Sequence, residues 1–266
     1  MAPTLRSAAG SDTGRRRSMN QDSAATSARL LALADGMGGH AHGEVASTVA
    51  VTAFLDLAGR LADTDLSGVD LLEKLSEAIE DASARLTALA DAEPEMRGTG
   101  TTVVAFLVDG TRIGVLHIGD SRAYLLRDGE LTRMTRDHTL VQALVDEGRI
   151  SVEEAAEHPR RSWLIRTLQD GTVAEPDLFE HQGQIGDRYL ICSDGVTAVL
   201  GDNEIREVLA GEPERAGAVA KLIERANAGG GPDNITCIVA DLVEESAPTE
   251  QVPLIVGAAA EQAGGT

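Results

Sequence analysis

The sequence predicts an α+β fold built on antiparallel sheets. Between Thr101 and Leu126 the apolar runs are short and rich in β-branched residues, and Asp109-Gly110 and Asp128-Gly129 punctuate this region as hairpin turns do. On either side the apolar spacing lengthens to the helical step of 3.6 residues. Strands and helices also arrive in blocks, without the regular alternation that βαβ units require.

Taken in order, residues 1–10 carry no apolar stretch of leader length and are expected to be flexible. Leu30 to Ala34 reads as a buried strand ending at Asp35-Gly36. Glu44 to Leu61 follows as a helix with Val45, Val49, Ala53 and Leu57 on one face. Val69 to Leu89 is a second helix, apolar at Leu72, Leu75, Ile79, Ala82, Leu86 and Leu89 and acidic opposite. Thr101 to Val108, Ile113 to Ile118 and Ala123 to Leu126 form an antiparallel meander. Arg136 to Gly171 is polar and reads as an insertion. Arg188 to Ser193 is again a buried strand. Asn203 to Ala210 and Glu214 to Asn227 are helices, the second opened by Pro213. Ile235 to Val243 is the last strand expected. Residues 244–266 read as a largely disordered tail, in which only Val252 to Val256 is apolar enough to dock.

The chain has 266 residues, is 42% hydrophobic and 2% aromatic, and carries a formal charge of -20. Its core must therefore be aliphatic. Few aromatics and a strongly negative charge argue against nucleic-acid and anionic-membrane partners. Most of that acidity is a solvated surface. It also favours bound cations and basic protein substrates. Cys192 and Cys237 lie in apolar runs without the spacing of a zinc or redox motif, as reduced buried thiols of a cytoplasmic protein would. No run is long enough to span a bilayer.

Five short phrases stand out: Arg17-Ser18-Met19-Asn20-Gln21-Asp22, Asp35-Gly36-Met37-Gly38-Gly39-His40, Gly119-Asp120-Ser121-Arg122, Ser193-Asp194-Gly195 and Gly231-Pro232-Asp233-Asn234. Each aspartate alone is ordinary turn or cap chemistry. Jointly they place carboxylates next to buried strands, and antiparallel pairing can gather such positions into one hard-oxygen metal site. Glycine at 36 would let its carbonyl approach a cation, and Asp35 could bridge two ions. Asp35-Gly36-Met37-Gly38-Gly39 is not a P-loop, because no G-K-[ST] follows.

In order along the chain, these phrases resemble the metal-dependent protein serine/threonine phosphatases, the PPM or type 2C family, and its bacterial branch. The resemblance also rests on Gly43-Glu44-x-Ala46-Ser47, Gly100-Thr101-Thr102, Thr135-Arg136-Asp137-His138-Thr139, His158-Pro159-x-Arg161-Ser162 and Asp187-Arg188-Tyr189-Leu190-Ile191-Cys192. It covers roughly residues 11–243 and implies a four-layer αββα sandwich. It further implies Mg²⁺ or Mn²⁺, two per site with a weaker third, and hydrolysis of phosphoserine and phosphothreonine by a hydroxide bridging two metals. Asp35 would bridge the ions, the Gly36 carbonyl would bind the second, and Asp194 and Asp233 would hold the first. Asp120 with Asp194 would form the third site, and Asp22 would act through metal-bound water. Arg17 would grip phosphate with Asn234 supporting that pocket, and His40 either protonates the leaving oxygen or merely caps the next helix. Residues 148–171 match the family's flap. There His158, Arg160 and Arg161 are read first as salt-bridge partners of Glu153, Glu154 and Glu157, and second as substrate contacts.

The chain departs from the family at Gln21, where glutamate is usual, and at Thr99, where methionine is usual; neither is a proposed ligand. A monomer reversing Ser/Thr kinase signalling is implied, its partners being phosphorylated proteins and the kinase itself. A silent phospho-recognition module and a different two-metal hydrolase such as a nuclease are the competing readings. Retention of every proposed ligand opposes the first, and the charge opposes the second.

Overall fold

A computed structural model describes residues 2–37, 42–171, 175–245 and 253–264. Two antiparallel sheets lie at its centre. The first is ordered β1 (Ala2–Asp12), β12 (Ile235–Glu245), β11 (Arg188–Cys192), β7 (Arg122–Arg127) and β8 (Glu130–Arg133). The second runs β10 (Asp177–Gln182), β6 (Arg112–Ile118), β5 (Val103–Asp109), β3 (Leu30–Met37), β2 (Asp22–Thr26) and β13 (Leu254–Gly257). Two short strands, β4 (Gly100–Thr101) and β9 (Leu168–Gln169), extend the end of β3.

Successive strand residues face opposite sides, so a strand buried on both faces must be apolar throughout. β3 shows this. Leu31 and Leu33 point between the sheets with Val104, Phe106, Ile191 and Ile238. Leu30, Ala32 and Ala34 point outward, where α1 (Gly43–Arg60) and α2 (Leu71–Ala92) cover them through Ala50, Phe54, Leu75 and Ile79. On the other side, Leu190, Cys192, Cys237 and Val239 meet α6 (Asp202–Gly211) and α7 (Arg215–Ala228) through Ile205, Val208 and Leu222. Three apolar layers between four layers of structure make the αββα sandwich. Phe106 and Tyr189 cross the central layer edge-to-face, with centroids 5.8 Å apart.

α2 begins where Asp70 accepts the Leu72 and Glu73 N–H groups, relieving two of the free donors at its N-terminus. The N-terminus differs from expectation, and the tail does so in part, its docking falling on the apolar run that could dock. Residues 2–12 are a full strand rather than a flexible end, pairing along β12 with Leu5 1% exposed in the central layer. Beyond residues 246–252, which lie outside the described residues, β13 pairs with β2 and leads into α8 (Ala258–Gly264), whose Ala258 and Ala259 are buried. The tail therefore docks at its C-terminal half, covering what would otherwise be an open sheet edge. Pro213 stands outside α7, one residue before its cap at Glu214, and not in its first turn.

Between β8 and β10 the insertion holds α3 (Leu140–Asp146) and α4 (Val152–Glu157). α4 opens with a capping box in which Ser151 and Glu154 exchange hydrogen bonds. That bond engages Glu154, and among the described residues no ion pair links Arg160 or Arg161 to Glu153, Glu154 or Glu157. Arg160 instead stacks 4.3 Å over Trp163. The salt bridges expected within the insertion are not formed.

Candidate active site

The two sheets open at one end onto a cavity of about 320 Å³ lined by Arg17, Asp35, Gly36, Asp120, Asp194 and Asp233, with Ser162 and Leu164 reaching in from the insertion. Asp22 and Asp35 are direct partners across β2 and β3. Like charges in that arrangement repel. The main chain of Asp35 is held tightly: Thr102 Oγ1 accepts its N–H at 3.0 Å, and its carbonyl accepts from Thr102 N and Thr101 Oγ1. Thr102 also meets the Ser121 hydroxyl at 2.8 Å, which ties the β6–β7 turn carrying Asp120 to β3.

Two glycines allow the approach. A Cβ on Gly36 would stand 2.0 Å from the Gly43 carbonyl oxygen, so α1 reaches β3 only because residue 36 lacks a side chain. A Cβ on Gly195 would stand 1.9 Å from the Asn234 carbonyl oxygen. This contact brings Asp194, at the start of α5 (Asp194–Thr197), beside Asp233 at the entry to β12. Ser193 completes the junction. Its hydroxyl donates to Asp22 Oδ2 at 2.8 Å and accepts the Thr236 N–H at 3.0 Å.

The electrostatics follow from burial. Removal from water, followed by the repulsion of Asp22, Asp194, Asp120 and Asp233, pushes Asp35 well above the usual carboxylate range. Burial and then Asp120, Asp233 and Asp22 push Asp194 up to about 8. Asp22 rises to about 6 through burial, against the pull of the Ser193 hydroxyl. Asp120 also reaches about 6, through burial and then Asp137. Oδ1 of Asp22 and Oδ1 of Asp194 are both buried without a well-placed hydrogen-bond donor. Mutually repelling carboxylates with orphaned oxygens are a donor set that suits hard divalent cations.

Arg17 stands at the rim, half exposed, donating to Asp233 Oδ2 at 2.7 Å. That bond, more than any other influence, raises its already high pKa. Asn234 stands behind the pocket and does not face it. It is 4% exposed and does not line the cavity. Its Oδ1 accepts from Gln21 N, and its Nδ2 donates to the Thr13 and Met19 carbonyls. It thus fastens the loop bearing Arg17 to the strand bearing Asp233, and its amide is not available to a substrate. Arg161 lines a neighbouring cavity of about 370 Å³ that shares Asp120, Asp194 and Ser162 with the first. His40 lies outside the described residues. Sequence reading passed over the supporting roles of Thr102, Ser121 and Ser193, although each adjoins or lies within a motif already noted.

The protein phosphatase 2C profile matches residues 9–230. The serine/threonine protein phosphatase PstP of Mycobacterium tuberculosis is 50% identical over 254 residues, covering 96% of this chain and 48% of PstP. The chain therefore spans about half the length of that relative. The serine/threonine phosphatase stp of Listeria monocytogenes is 34% identical over 235 residues, covering 86% of this chain and 93% of stp. A crystal structure of the M. tuberculosis phosphatase superimposes with a TM-score of 0.85 at 51% identity, covering 91% of this chain and 100% of that one. A structure of the PstP catalytic domain in complex with two manganese ions superimposes at 0.83 with 49% identity, covering 91% of this chain and 100% of that one. Profile, relatives and superposition agree with the motif order and the αββα layers, and the chain belongs to the protein phosphatase 2C family.

Proposed function

We propose that this chain hydrolyses phosphoserine and phosphothreonine in proteins in a reaction that depends on Mg²⁺ or Mn²⁺. The observation that carries the proposal is the gathering of Asp22, Asp35, Asp120, Asp194 and Asp233 from separate elements, with two of their oxygens buried and unpaired. Asp35, the Gly36 carbonyl, Asp194 and Asp233 would hold two cations, and Asp120 with Asp194 a weaker third. Asp22 supports the pair from behind, its carboxylate fixed by Ser193. Divalent cations bound there supply concentrated positive charge and acidify water, so that attack on phosphorus needs no covalent phosphoenzyme.

The chain's own groups do the rest. Arg17 presents a planar fork to phosphate oxygens, held at the rim by Asp233. Asn234 keeps the Arg17 loop in place. Arg161, from the flap of residues 148–171, meets the peptide flanking the phosphoresidue. His40 would donate a proton to the departing serine or threonine oxygen. The catalytic unit takes in residues 11–243 together with β1 and the docked β13 and α8, and acts as a monomer. The free, buried Cys192 and Cys237 support a reducing, cytoplasmic setting. Among the described residues no helix is long and apolar enough to cross a membrane. The substrates are phosphorylated products of a Ser/Thr kinase, and the kinase itself.

Hydrolysis of p-nitrophenyl phosphate and of a phosphothreonine peptide, with Mn²⁺ and with EDTA in its place, tests this. Chelation abolishes both activities, and Asp194→Asn lowers them by orders of magnitude. Full turnover in EDTA would overturn the proposal.

A further inference from the structure

A second group of ligand-type side chains lies outside the aspartate set, at the β6–β10 edge. His117 on β6 and Asp177 on β10 are direct cross-strand partners, so their side chains leave the same face of the sheet. His138, in the segment after β8, brings its ring to 4.6 Å from that of His117. The ligand atoms of His117, His138 and Asp177 all lie within 4.8 Å of one another. His117 is fully buried, and neither of its ring nitrogens has a partner of full hydrogen-bonding geometry, the Ser121 backbone lying near but out of line. Buried polar atoms are rarely left so. Charging a ring so far from water is costly, and a neutral imidazole offers a lone pair. A cavity of about 320 Å³, lined by His138, Ile165, Arg166 and Asp177, gives a way in.

We propose that His117, His138 and Asp177 form a transition-metal site of the zinc class, separate from the aspartate cavity. Two imidazoles and one carboxylate suit Zn²⁺, with a fourth position left for water from the adjoining cavity, whereas all-oxygen aspartates suit Mg²⁺ and Mn²⁺.

The site works against two existing contacts, and these give it a consequence. Arg166 Nη1 donates to Asp177 Oδ1 at 3.0 Å and stands 3.4 Å from His138 Nε2, so its positive head competes with the ion. Its side chain is 45% exposed and can swing into solvent. The Gly119 N–H donates to His138 Nδ1 at 3.1 Å, which places the ring proton on Nε2, facing Asp177 Oδ2 at 3.1 Å. Coordination through Nε2 moves that proton to Nδ1. The ring stays neutral, and Gly119 loses its acceptor. Gly119 has a left-handed φ of 106° and immediately precedes Asp120. Ion binding therefore frees Arg166 at the base of the flap and loosens the turn that aims Asp120.

The test is zinc content after equilibrium dialysis against ZnCl₂, with Mg²⁺ in large excess to fill the aspartates, alongside Co²⁺ spectra. The wild-type protein retains zinc and, with Co²⁺, gives the strong visible bands of imidazole-ligated cobalt. Asp177→Asn, at a partly exposed position, weakens zinc binding by about 100-fold or more, since loss of even an outer partner costs about 10–100-fold. Arg166→Met tightens it by about tenfold, an effect that misfolding cannot imitate. Asp194→Asn leaves it unchanged. Zinc lost in Asp194→Asn but kept in Asp177→Asn, or no tightening in Arg166→Met, would overturn the proposal. Because the readout is metal content, it stands apart from phosphatase turnover.

Discussion

Asn234 is where position and contact make different predictions. Its side chain makes three hydrogen bonds, to Gln21 N at 2.8 Å and to the carbonyls of Thr13 and Met19 at 2.9 Å each. All three join segments more than 200 residues apart in sequence, and the residue is 4% exposed. Each such bond contributes about 0.5–1.5 kcal/mol net. Asn234→Ala should therefore cost about 2–4 kcal/mol, a large part of the ~5–15 kcal/mol that holds a typical domain together. Asn234→Asp should be at least as damaging. It can still accept from Gln21 N, but its carboxylate then faces two carbonyl oxygens to which the amide had donated. Urea unfolding in EDTA reads this directly. With a slope of ~3 kcal/mol/M, the midpoint falls by ~1 M. Turnover of a phosphothreonine peptide should show a raised KM as the Arg17 loop loosens. If Asn234 instead touched substrate, both variants would keep their urea midpoints and lose only activity. That result would refute the clamp.

Arg161→Ala should raise KM for a phosphopeptide several-fold and leave p-nitrophenyl phosphate turnover unchanged, because only the peptide reaches the flap cavity; equal losses on both substrates would remove Arg161 from recognition. Asp187 is 1% exposed and accepts from Arg127, Gln184 N and the Tyr189 hydroxyl. Burial works to raise its pKa, and these donors prevail and hold it below the usual range. Its contribution to stability is thus present above about pH 4 and is lost as pH falls through the depressed value. Asp187→Asn should cost about 1–3 kcal/mol at pH 7, discounted for the partly exposed Arg127, and flatten the acid limb of a stability profile; an unchanged limb would count against it. Removal of residues 246–266 strips β13 and α8 from β2 and should lower the melting temperature by several degrees while opening an edge to self-association; a disordered tail would be lost without effect.

The strands that could be read from sequence are the ones buried on two faces. Leu30 to Ala34, Arg188 to Cys192 and Ile235 to Val243 are apolar in nearly every position because a helix layer covers one side and the opposite sheet the other. β1, β2, β10 and β13 escape that rule. Their sequences are small or mixed, as in Asp177-Leu178-Phe179-Glu180-His181-Gln182, and they are strands because a neighbouring strand offers them a ladder. A one-dimensional pattern carries no trace of that offer.

The same division runs through the site. Aspartates beside glycine are conspicuous because backbone approach and carboxylate supply leave a mark in residue type. The groups that hold those aspartates, Thr102, Ser193 and Asn234, are ordinary hydroxyls and an amide whose roles depend on partners up to 221 residues away. His117 lay in an apolar run, Val115-Leu116-His117-Ile118, where a lone histidine normally means a satisfied core group. Only the fold shows both of its nitrogens buried without well-placed partners, facing His138 and Asp177. Residue type thus discloses where cations are wanted, while the fold decides which neutral groups aim the ligands. Substitutions of the neutral groups should accordingly register first in stability, and those of the aspartates first in metal affinity.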